Sequence, residues 1–70
     1  MYYQTELTAD RRTDRRYIEA EMSSDAARQA VKAWRSDAKF RKATVQGDHT
    51  RYVFSVGFNT LATVKVFTPS

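Results

Sequence analysis

Polar and apolar positions alternate at the start of this chain. Tyr3, Thr5, Leu7 and Ala9 interleave with Tyr2, Gln4, Glu6 and Thr8, which predicts a strand over 2–9 with the first set facing a core. A polar segment, DRRTDRR, covers 10–16, and alternation resumes over 17–22 with Ile18, Ala20 and Met22 inward. Tyr17, Glu19 and Glu21 face the other way. Two strands joined by a short polar connection make an antiparallel hairpin.

From Ser23 the period changes. The segment SSDAARQAVKAWRSDAK predicts a helix over 23–39, and the remaining elements are arranged around it. Ala27, Ala30, Val31, Trp34 and Ala38 recur at three- and four-residue steps and form one apolar stripe, with Trp34 as its expected anchor in the core. Ser23 or Ser24 is expected to cap the first turn, where Asp25 also suits the helix dipole, as Lys39 suits its far end. A third strand is predicted over 41–46, with Ala43 and Val45 inward. A Gly-Asp turn at 46–49 leads to a fourth strand over 50–58 and a fifth over 61–68, with Asn59 at the turn between them.

The last two strands carry apolar groups on both sides. Tyr52, Phe54, Val56 and Phe58 share one side while Val53 lies on the other; Ala62, Val64 and Val66 oppose Leu61 and Phe67. One helix covers one face of a sheet, so the second face is expected to meet a copy of this chain or another protein. The predicted fold class is α+β: a single antiparallel sheet of about five strands, β-β-α-β-β-β, with one helix packed on one face. Seventy residues make one domain, 1–70, with a modest core and small stability unless the chain self-associates or docks.

Charge changes the picture. The net charge is +4, and it is uneven: residues 23–42 hold six basic against two acidic residues, whereas residues 1–22 hold four against five. Arg28, Lys32, Arg35 and Lys39 step by four, three and four along the expected helix. They form a basic row about a quarter to a third of a turn from the apolar stripe, and Arg41 and Lys42 follow. A row of this kind is either a solvated helix face or a contact surface for an acidic partner such as nucleic acid. Arg11, Arg12, Arg15 and Arg16 at the expected hairpin tip are the second candidate. Their guanidinium groups can fork onto phosphate or carboxylate, unless Asp10 and Asp14 neutralise them.

Catalytic chemistry finds little support. His49 is the single histidine and there is no cysteine, so metal sites and nucleophile–base pairs lack members, and no cofactor is expected. Glu19 and Glu21 share a strand face without an apolar pocket to tune them. With only Gly47 and Gly57, a Gly-rich phosphate loop is ruled out, and a non-enzyme is the expectation. Tyr17 beside Arg16 and Tyr52 beside Arg51 are candidates for base stacking next to a phosphate contact, or ordinary strand packing residues. Nothing resembles a leader or a membrane span, so a soluble protein of the host-cell cytoplasm is expected, with no membrane partner.

The succession of strand, Arg/Asp-rich hairpin and YIEAEMSSDAARQAVKAW, then three strands, resembles small phage-encoded type I anti-CRISPR proteins. The likeness is topological, spans residues 2 to about 39, and is closest over YIEAEMSSDAARQAVK. It implies a non-catalytic inhibitor that docks on a host guide-RNA surveillance complex through charged and polar contacts. Because many such inhibitors are acidic DNA mimics and this chain is basic, it implies a grip on nucleic acid or on an acidic protein face. The functional expectation is a phage or mobile-element binding module that inhibits a host nucleic-acid-handling complex. The alternatives are a direct DNA- or RNA-binding protein and a structural homodimer. On the inhibitor reading, reversing Arg28 and Arg35 to Glu abolishes partner binding and leaves the fold intact.

Overall fold

The computed structural model describes residues 1–69. It is an α+β fold with the expected order: β1 (Tyr2–Ala9), β2 (Arg12–Glu19), α1 (Ser23–Trp34), β3 (Lys39–Val45), β4 (His49–Val56) and β5 (Thr60–Phe67). The five strands form one open antiparallel sheet in the order β2-β1-β5-β4-β3. The β2 and β3 strands are opposite edges, and α1 carries the chain between them across one face. The meander β3-β4-β5 then returns to the centre, where β5 pairs with β1.

The alternation read from sequence explains the core. Tyr3, Thr5, Leu7 and Ala9 of β1, Tyr52, Phe54 and Val56 of β4, and Ala62, Val64 and Val66 of β5 are buried beneath the helix. From α1 come Ala26, Ala27, Ala30 and Val31. Three alanines at the contact let the helix backbone approach the sheet closely, so the fully buried side chains are small, chiefly valines. The Trp34 indole lies outside that close contact. Trp34, expected as the anchor, is half-buried at the end of the helix, packed against the margin of the core. We therefore expect Trp34→Ala to cost about 1–2 kcal/mol, below the 3–5 kcal/mol typical of a fully buried tryptophan. Urea unfolding followed by circular dichroism measures it.

Several boundaries differ from the expectation, each for a local reason. The hairpin turn is only Asp10–Arg11, both left-handed (φ 50° and 64°), so β2 starts at Arg12 and takes in most of the polar segment. A two-residue turn with both central residues at positive φ matches the twist of the flanking strands. The helix stops at Trp34. Arg35 is extended, its N–H donating to the Val31 carbonyl, and its guanidinium forks onto Asp37 two residues on. Ser36 and Asp37 form a turn, as residues that compete with helical backbone bonds often do. Ala38 reaches the core from beyond that turn.

The helix N-cap is Met22 and makes no side-chain capping bond. Ser23, expected as a cap, instead lies 2.6 Å from the Tyr52 hydroxyl and ties the first turn to β4. Met22, expected inward, is exposed, as is Phe58, which falls in the turn after β4. There the left-handed residue is Gly57 (φ 63°), not Asn59. On β3, Ala43 and Val45 do point to the helix side, opposite Tyr52 and Thr50, yet both are exposed because α1 packs on every strand except β3.

Candidate binding face of the sheet

The basic helix row does not assemble. Only Arg28 and Lys32 lie on the helix; Arg35 follows its end and Lys39 opens β3. Two of the four are held by this chain's own carboxylates: Arg28 to Asp25 at 3.2 Å, and Arg35 to Asp37 at 3.1 Å. The Arg35 hydrogen bonds hold the Asp37 carboxyl below the ordinary carboxylate range.

The four hairpin arginines also separate. Arg11 alone sits in the turn. Arg12 and Arg16 lie opposite Ala9 and Thr5, on the helix side of β2, where they line a slot beside Trp34. Arg16 is bonded to Asp14 at 2.7 Å. Arg15 points to the face of the sheet away from the helix and bonds Glu6 at 3.1 Å.

That open face is where positive charge collects, because the register brings cations from four strands onto it. Across the sheet, Arg15 of β2 lies opposite Glu6 of β1, Glu6 opposite Lys65 of β5, Lys65 opposite Arg51 of β4, and Arg51 opposite Thr44 of β3. Lys42 and Lys39, opposite Val53 and Ser55, extend the positive region along β3. Against these five cations the strands of this face offer Glu6, already bonded to Arg15, and Glu19. Among the described residues, neither Arg51 nor Lys65 makes an ion pair within 4 Å, although they are direct cross-strand neighbours. Like charges placed opposite each other cost stability, and packing does not require the pair.

Over the next two levels, the same face is aromatic. Tyr17 lies opposite Gln4, Tyr2 opposite Glu19, and Phe67 follows Val66 on β5. Tyr2, Gln4, Tyr17 and Phe67 surround a shallow depression. Tyr52, expected as the second stacking candidate, is on the helix side, buried and bonded to Ser23.

His49, expected in a surface turn, opens β4 instead, with its ring 5.5 Å from that of Phe67. Its Nδ1 lies 2.8 Å from Asp48, and this hydrogen bond holds the Asp48 carboxyl below the ordinary range. The folded pKa being the lower one, whatever stability this bond contributes is present above the unfolded pKa and lost as pH falls through the folded value.

Of the open-face cations, Lys65 belongs to neither cluster read in the sequence, while Lys42 enters only as following the helix row and Arg51 only beside Tyr52. Their signal was their place as polar positions between inward-facing residues, but only strand order brings them together. No group of three or more His, Cys, Asp or Glu side chains among the described residues is placed to hold a metal. No helix among them is long and apolar enough to cross a membrane. Comparison with protein-family models, curated proteins and solved structures finds no match to this chain.

Proposed function

We propose that this chain is a non-catalytic binding module of the host-cell cytoplasm that lays the open face of its sheet on a nucleic-acid backbone. The observation that carries the proposal is the Arg51–Lys65 pair. Two cations are held opposite each other, beside Lys42, and among the described residues neither has a carboxylate within 4 Å, since Glu6 across from Lys65 is bonded to Arg15. A polyanion relieves that repulsion when it binds, which returns as affinity the stability the free fold gives up. Direct nucleic-acid binding is thereby favoured over an inhibitor docking through the helix, since the row that would dock is divided and half neutralised. The inhibitory role implied by the anti-CRISPR resemblance remains compatible with this face, because a ribonucleoprotein complex offers the same polyanion.

Salt titration tests the proposal. With Lys39, Lys42, Arg51 and Lys65, which among the described residues make no ion pair within 4 Å, as the contacting cations, three or four phosphates are neutralised. The plot of log affinity against log salt then has a slope of about −2 to −3.5 for an oligonucleotide. A slope near zero, or no binding at low salt, overturns the proposal.

A further inference from the structure

Beside the basic row lies an aromatic one, and their juxtaposition says which form of nucleic acid the face takes. From this placement, and resting on the nucleic-acid reading above, we propose that the ligand is a single strand with an unpaired base seated in the depression formed by Tyr2, Tyr17 and Phe67. Its phosphates lie along Lys65 and Arg51.

Tyr17, Gln4 and Phe67 stand two residues from the basic level on their strands, and Tyr2 stands one such step further out. Gln4 and Glu6 on β1, and Phe67 and Lys65 on β5, mark the two levels. That step is about 6.7 Å, of the order of the distance from a base to its own phosphate. Tyr2 and Tyr17 are 66% and 74% exposed, which is far more than strand packing asks of a tyrosine ring. Exposed rings of this kind offer a sequence-tolerant surface to any base. Gln4, between them on the same face, carries both a donor and an acceptor for a base edge.

A duplex cannot use this arrangement. Its bases are paired and stacked on one another, so it presents only backbone to a broad sheet, leaving the aromatic level idle. The face therefore binds both forms through charge and separates them through stacking.

The test is fluorescence anisotropy with end-labelled twelve-residue oligonucleotides, single-stranded DNA, single-stranded RNA and DNA duplex, alongside heparin as a polyanion without bases. For the unaltered chain we expect at least one of the single strands to bind at least tenfold more tightly than the duplex. Substituting both tyrosines, Tyr2→Ala with Tyr17→Ala, lowers single-strand affinity roughly ten- to a hundredfold and leaves duplex and heparin binding within about twofold. Tyr17→Phe, which keeps the ring, retains single-strand affinity. Both side chains are exposed, so the variants keep the fold, and far-ultraviolet circular dichroism verifies it.

Equal affinity for single strand and duplex, or single-strand binding indifferent to loss of both rings, overturns the base-stacking proposal while leaving the charged face in place. Absence of salt-sensitive binding to any of the four ligands overturns that face as well.

Discussion

Phe54→Ala is expected to remove about half of this chain's stability. Phe54 is 2% exposed on β4, the strand between the β3 edge and central β5. Removing a buried phenyl ring costs about 3–5 kcal/mol. A domain of this length has about 4–10 kcal/mol in total. The loss is expected at the upper end because the ring has two duties. It fills the floor under α1, and it meets Phe40 edge-on at a centroid distance of 5.9 Å. The latter contact fastens β3, which the helix does not reach. With the ring gone, the valine core around it is too small-grained to collapse into the space. Phe40→Ala is the companion measurement: Phe40 is already 52% exposed, so its loss costs about 1–2 kcal/mol. Urea denaturation of both variants decides it, and a cooperative Phe54→Ala transition within about 1 kcal/mol of the unaltered protein contradicts this account.

The same dependence on a buried side explains how far the sequence could be read. Where a strand has one face under the helix, period-two alternation marked its inward residues, on β1 with the limits right and on β5 with both limits one residue late, 61–68 against Thr60–Phe67. The β2 edge is polar on both sides from Arg12 to Arg16, so nothing in its pattern distinguished strand from loop, and the hairpin turn was drawn too wide. On β3 every residue is exposed, and the inward assignment of Ala43 and Val45 was right in direction but not in burial.

The helix was drawn too long because Ala38 happens to fall at the right step for its apolar stripe. It is buried for a different reason, beyond a Ser-Asp turn that the Arg35–Asp37 fork holds in place. The basic row depended on that extra turn and divided with it. The open face was illegible for a more general reason. Outward positions on separate strands are easily identified one at a time, but which of them are neighbours is a property of strand order. Here the order places the last strand beside the first.

Arg51→Glu is expected to make the protein more stable and a poorer binder. The substitution puts a carboxylate opposite Lys65, completing an alternation of sign from Arg15 through Glu6 and Lys65 to β4. Replacing a like-charge cross-strand pair by an opposite one is worth about 1 kcal/mol, less at high salt because the site is exposed. Lys65→Glu would not serve, since Glu6 stands directly opposite on the other side. Binding moves in the other direction. One phosphate contact is lost and a repulsive charge introduced, so oligonucleotide affinity at low salt falls about tenfold or more, and the salt slope shrinks by about 0.7–0.9.

The contrast lies in Arg28→Glu with Arg35→Glu, for which the sequence alone predicted loss of binding. Those cations are partnered by Asp25 and Asp37, off the open face. Reversing them breaks two ion pairs and leaves oligonucleotide affinity within a fewfold of the unaltered chain. Thermal unfolding and anisotropy on the same two variants measure both quantities. If Arg51→Glu binds as well as the parent while the helix double variant does not, the contact surface is the helix side and the open face is only a solvated surface.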